Sequence, residues 1–139
     1  MAATQFTVAE AAALLGVSDD TVRRWADGGR LELSTGPNGR ALVDGRALAA
    51  LAQELAAESA LAAAFPTSKA SARNRITGIV TKVTKDGVMA QVELQAGPFR
   101  IVSLMSREAA DELELEPGTL ATASVKATTV VVETLEAHR

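Results

Sequence analysis

The chain has no cysteine, no tyrosine, one tryptophan, three phenylalanines and one histidine in 139 residues. Without cysteine there is no disulfide framework, no thiolate metal centre and no thiol nucleophile. The one imidazole, His138, stands beside the last residue, which argues against histidine-based catalysis or metal ligation. Aromatics make up 3 % of the chain, so a packed interior has to rest on Leu, Val, Ile and Ala, and the hydrophobic content of 47 % supplies them. No stretch approaches 18 apolar residues, and no basic segment leads into a short apolar run at the N-terminus. The expectation from these absences is a cytoplasmic protein. Net charge is −3, so nothing draws the whole chain to nucleic acid. Any DNA affinity has to come from a local basic face, presented several times by an oligomer.

What is present divides near residue 66. Residues 1–64 are Ala-rich with helical periodicity, and residues 75–134 are rich in Val, Thr and Ile with period-2 alternation. Between them, Pro66 ends any helix that reaches it and restricts the residue before it. The reading is an α+β protein of two domains: a mainly α unit at 1–64, a linker at 65–70, and a β-rich unit at 71–139.

The first half opens on a helix-start signal. In Thr7-Val8-Ala9-Glu10 the Thr7 hydroxyl can accept the third amide while Glu10 reaches back, which is a capping box. Val8, Ala11, Ala12 and Leu15 fall on one helical face, and Gly16 breaks the helix. Ser18 caps a second helix with Asp19 and Asp20 in its first turn, where the dipole favours them. Val22, Trp25 and Ala26 face inward from it, leaving Thr21, Arg23 and Arg24 outward. Gly28-Gly29 ends it. Leu31 to Leu33, a Gly36-Pro37-Asn38-Gly39 turn and Arg40 to Val43 then read as a small hairpin. A third helix runs from the Asp44 cap to about Ala64, with Leu48, Leu51 and Leu55 as a stripe that suits either packing on the first two helices or a dimer seam.

Thr21-Val22-Arg23-Arg24-Trp25, followed by Gly29 and Leu31, resembles the MerR/excisionase-type winged helix-turn-helix. That resemblance implies a second helix in the major groove, with Thr21, Arg23 and Arg24 approaching base edges and Arg40 on the wing meeting a phosphate. Relatives carry several basic residues on the wing; this one offers mainly Arg40.

The second half reads as five short strands and one helix. They are a strand over 75–83, an Asp86-Gly87 turn of the positive-φ type, a strand through Val88, Ala90, Val92 and Leu94, and a return over 99–105. A short helix capped by Ser106 follows, then strands at 119–126 and 129–135. This predicts a small OB-like β-barrel. Ser71-Ala72-Arg73-Asn74 at its opening and Lys126-Ala127-Thr128-Thr129 at its close each pair a fixed cation with small polar side chains and open amides. A tetrahedral oxyanion leaving water needs that combination.

The two stretches and the layout between them resemble the Mop-type molybdate-binding domain of the molbindin or TOBE class. The resemblance implies molybdate or tungstate as the ligand. Its site would comprise Ser71, Ala72, Arg73, Asn74, Lys126, Ala127 and Thr128, with Ala127 standing where relatives often have Ser. A second pocket would lie at Val102, Ser103, Leu104 and Ser106. It also implies a site shared between subunits, one chain giving the Ser-Ala-Arg-Asn end and another the Lys end. The assembly would be a homo-oligomer, a hexamer built as a trimer of dimers, or a dimer as the alternative. Two functions stay open: an anion-responsive DNA-binding transcription regulator, and an intracellular molybdate-binding storage protein whose first domain serves assembly. An enzyme is not expected, because Ser71, Thr128 and the acidic residues offer no nucleophile–base pair.

Overall fold

The fold comes from a computed structural model that describes residues 4–65 and 70–135. The chain separates into two compact units, one of residues 1–66 with 132–139 and one of residues 67–131. His138 and the linker residues 66–69 lie outside the described residues.

In the first unit the capping box forms as the sequence spacing requires. The Glu10 amide donates to Thr7 Oγ1 at 3.2 Å and the Thr7 amide donates to Glu10 Oε1 at 3.1 Å, opening α1 (Val8–Leu15). Gly16 closes α1 at φ 69°, a left-handed cap that costs a glycine little. Ser18 caps α2 (Asp19–Asp27) by accepting from the Thr21 amide at 3.2 Å. The hairpin comprises β2 (Leu33–Thr35) and β3 (Ala41–Asp44). The sequence reading missed a third strand, β1 (Gln5–Thr7), which pairs with the far side of β3 in the order β1-β3-β2. Three residues are too few to show a period in sequence; only the long-range pairing with β3 makes them a strand. Val8, Ala11, Ala12, Val22, Leu31, Val43, Leu48 and Leu51 form the core, with Trp25 packed against it.

The third helix is shorter than its composition suggests. α3 runs Gly45–Ala57 from the Asp44 cap, and a separate α4 covers Ala60–Ala64. Ser59 between them takes extended backbone at φ −62°, ψ 126°, and its side chain makes no capping hydrogen bond. Arg30 holds the end of α3, donating to Glu58 at 3.0 Å while stacking 5.7 Å from the Trp25 ring centroid. Leu48 and Leu51 are buried in the core and Leu55 packs against it, so that stripe serves the fold.

The second unit is one curled antiparallel sheet of β4 (Asn74–Lys85), β5 (Met89–Ala96), β6 (Phe99–Ser106) and β7 (Leu120–Val125), in the order β6-β5-β4-β7. α5 (Arg107–Glu112) follows β6, its first turn capped by Ser106 Oγ accepting from the Ala109 amide at 3.0 Å. This is the OB-like arrangement expected, with two local corrections. The segment 129–135 is not a fifth strand. The chain turns through a short 3-10 helix at Ala127–Thr129, closed by the Thr129 hydroxyl and amide donating to the Lys126 carbonyl, and 130–135 joins no ladder. The turn after β4 is also not of the positive-φ type, since Gly87 is absent from the left-handed residues. Instead the Asp86 carboxylate accepts from the amides of Val88 at 2.8 Å and Met89 at 2.7 Å, which holds it below the usual carboxylate range. Val88 therefore lies in the turn, 73 % exposed, and the buried alternation begins at Ala90.

The curl has a local cause. β4 carries a register shift between Val80 and Lys82, and two residues earlier than Val80 it has a glycine pressed against β5. A Cβ on Gly78 would lie 2.5 Å from the Gln95 carbonyl oxygen, which is backbone and has little freedom to retreat. Behind that contact Val80, Val92 and Leu94 form the core. Gly78→Ala should therefore destabilise the second unit by about 1–3 kcal/mol, as overpacking does. Thermal unfolding followed by circular dichroism checks this, and an unchanged midpoint would show that β5 can give way.

Candidate functional site

The β4–β7 ladder decides where the oxyanion candidates stand. Asn74 is opposite Val125, and the pairs run on through Ile76↔Ala123 to Ile79↔Leu120. Asn74 opens β4 and Val125 closes β7, so the chain leaves both strands at the same end of the sheet, at Arg73 on one side and Lys126 on the other. Two cations 53 positions apart in sequence are thereby delivered to one sheet end. The Asn74 side chain ties that end shut, its Nδ2 donating to the Val125 carbonyl at 3.1 Å. The Asn74 carboxamide thus makes a structural bond across the ladder.

Around this end Ser71, Arg73, Lys126, Ala127 and Thr128 are exposed, and Ala72 and Asn74 are half-buried. Within the 3-10 turn the Thr129 and Val130 amides bond back to Lys126 and Ala127. The Ala127 and Thr128 amides, the first two of the turn, make no hydrogen bond among the described residues. The arrangement offers two fixed positive charges, hydroxyls on Ser71 and Thr128 that can donate, and amides at the start of a turn, and none of the residues named here is a carboxylate. Both ends of the motif come from one chain, and that chain leaves the site open to solvent.

The second oxyanion group is placed differently. Val102, Ser103, Leu104 and Ser106 lie on β6, the opposite edge of the sheet from β7. The Ser106 hydroxyl is already the cap of α5, and Val102 and Leu104 point outward, 43 % and 70 % exposed.

In the first unit Arg23 and Arg24 are exposed on α2, while Val22 is fully buried and Trp25 packs on the core. Thr21 is half-buried and engaged on both sides: its hydroxyl lies 2.9 Å from Ser18 Oγ and accepts from Arg24 Nη2 at 3.1 Å. Arg40 is exposed on the hairpin turn, where its carbonyl accepts from the Gly36 amide at 2.7 Å. Arg30, to which the sequence reading assigned no role, is spent on Glu54, Glu58 and Trp25, so it belongs to the fold rather than to a free basic face. Among the described residues no helix is long and apolar enough to cross a membrane, and no group of His, Cys, Asp and Glu could hold a metal ion.

Residues 70–132 match the TOBE domain, and residues 6–56 match a helix-turn-helix domain. Molybdenum-pterin-binding protein 3 of Clostridium pasteurianum is 38 % identical over 63 residues, which are 45 % of this chain and 93 % of that protein. The chain is a Mop-type TOBE protein fused to a helix-turn-helix domain. Among solved structures, a molybdate-binding protein from Sporomusa ovata is 31 % identical, covering 48 % of this chain and all of that one, with a TM-score of 0.47. MopII from Clostridium pasteurianum is 36 % identical over the same shares, with a TM-score of 0.45.

The Asn74 tie gives the Mop-type unit a testable weak point. Asn74→Ala should cost about 0.5–1.5 kcal/mol, the net worth of one hydrogen bond. The loss should fall at the Arg73–Lys126 end, read as faster amide exchange at Val125 and its neighbours while the exchange of Val92 and Leu94 stays slow.

Proposed function

We propose that the protein is a molybdate- or tungstate-responsive DNA-binding transcription regulator, in which the Mop-type unit takes the oxyanion and the winged helix-turn-helix reads DNA. The observation that carries this reading is the delivery of Arg73 and Lys126 to one end of the β4–β7 ladder. Two cations offset the charge of a dianion, and the Ser71 and Thr128 hydroxyls with the turn amides supply directed donors. The names of the relatives, molybdate-binding and molybdenum-pterin-binding, agree with that chemistry. One chain leaves the donors exposed on one side, so a second copy completes the enclosure and the working form is a homo-oligomer. A hexamer built as a trimer of dimers is favoured, and a dimer is the alternative. The site binds an anion and has no base or nucleophile poised for chemistry, so the role is binding rather than catalysis.

The DNA half of the proposal rests on the exposed Arg23 and Arg24 next to the buried Val22. A storage role is the second reading, favoured by a hairpin whose turn offers only Arg40 and by the net charge of −3.

Lys126→Ala or Arg73→Ala should weaken molybdate binding by about 2–5 kcal/mol, the cost of truncating one partner of a desolvated charge contact. Calorimetry with molybdate, tungstate and sulfate measures this, and either variant binding like the wild type would displace the site from this ladder end. The smaller sulfate should bind far more weakly than the other two, because it leaves donors unpaired at about 1–3 kcal/mol each.

Arg23→Ala/Arg24→Ala should abolish sequence-specific DNA binding, since a good bidentate arginine contact is worth about 1–3 kcal/mol of base discrimination. Anion affinity should stay unchanged. Gel shifts on the protein's own upstream DNA, with and without molybdate, provide the check. No shift by the wild type in either condition would favour the storage role.

A further inference from the structure

A chain of hydroxyls on α2 ends on an arginine. The Ser18 and Thr21 hydroxyls lie 2.9 Å apart, and Thr21 Oγ1 accepts from Arg24 Nη2 at 3.1 Å. Either hydroxyl can donate in the first contact, and in both cases the Thr21 oxygen is engaged on two sides. Thr21 is half-buried, whereas Arg23 and Arg24 are exposed.

Arg24 bonds to a neutral acceptor although a carboxylate stands at helical spacing. Asp20 is four positions before it, where an acid ordinarily pairs with an arginine on a helix. None of the ion pairs among the described residues includes Arg23 or Arg24. Arg30 shows the contrast, since Glu54 and Glu58 offset its charge. A neutral acceptor fixes the direction of the Arg24 guanidinium and leaves its charge and the other N–H groups of the fork available. Thr21 also lies one turn nearer the start of α2, and the starting turns of a recognition helix are the ones that meet base edges. Arg23 has no such tether among the described residues.

We infer that Thr21 positions Arg24 as the residue of α2 that reads guanine, and that Arg23 serves a phosphate. Orienting the fork before DNA arrives removes rotamer freedom that a long side chain otherwise loses on binding. A bidentate contact to guanine O6 and N7 needs that fixed fork, whereas a phosphate accepts a charge from a range of directions. Thr21 is thus a positioning residue and not itself a contact to DNA. The inference rests on the reading that this unit binds DNA, and it gives the two adjacent arginines different roles.

The test uses the full chain. Wild type is mixed with a pool of randomised duplexes, and the bound sequences are enriched and read. Fluorescence anisotropy then measures affinity for the enriched duplex, for its single-base variants and for unrelated duplex, at several salt concentrations. The variants are Thr21→Val, Thr21→Ser, Arg23→Ala, Arg24→Ala and the double variant Thr21→Val/Arg24→Ala, each checked for fold by circular dichroism. Val keeps the β-branched shape of Thr21 and removes only the hydroxyl.

Thr21→Val should lower affinity for the enriched duplex by roughly three- to tenfold, the worth of one hydrogen bond. Affinity for unrelated DNA and the salt dependence should not move, and Thr21→Ser should keep the wild-type preference. Arg24→Ala should lose about tenfold or more of the discrimination at one G·C pair, with no further loss when Thr21→Val is added. Arg23→Ala should weaken all duplexes alike and reduce the salt slope by about one. Equal loss from Thr21→Val on enriched and unrelated DNA, no loss at all, or an additive loss in the double variant overturns the positioning role. Discrimination lost in Arg23→Ala and kept in Arg24→Ala overturns the assignment of the two arginines. A wild type that enriches no sequence overturns the DNA reading itself, and this inference with it.

Discussion

The candidate site of this protein depends on one ladder. The strands β4 and β7 are separated in sequence by two other strands and a helix, yet their register puts Asn74 opposite Val125, and from that single pair the positions of Arg73 and Lys126 follow. Bringing two like charges to one place is unfavourable on its own account. The backbone hydrogen bonds of the ladder, the Asn74 carboxamide and the packing of Ala121 and Ala123 against Val80, Val92 and Leu94 offset it. Cations positioned by the fold before a ligand arrives are the feature on which the proposed oxyanion site rests.

The curl of the sheet serves the same end. Gly78 lets β4 approach the β5 backbone more closely than any side chain would allow, and the register shift after Val80 bends the strand. The bend divides β4 between its neighbours: Asn74 to Ile79 pair with β7, and the pairing with β5 begins at Ile79 and continues to Lys85. Among the described residues no fifth strand of the same chain closes the sheet: after the short helical turn at Ala127–Thr129, residues 130–135 pair with no strand.

The helix-turn-helix unit is organised by capping and by a small aliphatic core. Thr7, Ser18 and Asp44 each start a helix with a side-chain oxygen on backbone amides, so the three helix starts are fixed locally before packing adds to them. Arg30 then joins α3 to the residues just after α2 through Glu58 and the Trp25 ring. This consumes a cation that composition alone would count toward a basic face. The arginines exposed on α2 differ from each other: Arg24 donates to Thr21 one turn back on its own helix, and Arg23 is exposed beside it.

Local chemistry was legible in the sequence. The three caps, the glycine at the end of α1, the alternation of Ala90, Val92 and Leu94, and the Ser106 helix start all depend on residues within a few positions of one another, so spacing alone determined them. The two oxyanion stretches were legible as residue types, and their place at the ends of one domain as a family resemblance. What only the tertiary structure decided involves partners distant in sequence. β1 exists because β3 pairs with it, Asn74 is a tie because Val125 lies opposite, and Arg30 is a clamp because α3 passes beside it. The long third helix and the fifth strand were misread for the same reason. Ala-rich composition and a run of valines state what a segment favours, but the Ser59 break and the turn after Lys126 determine where the chain goes, and a strand forms only where another backbone is present to receive it.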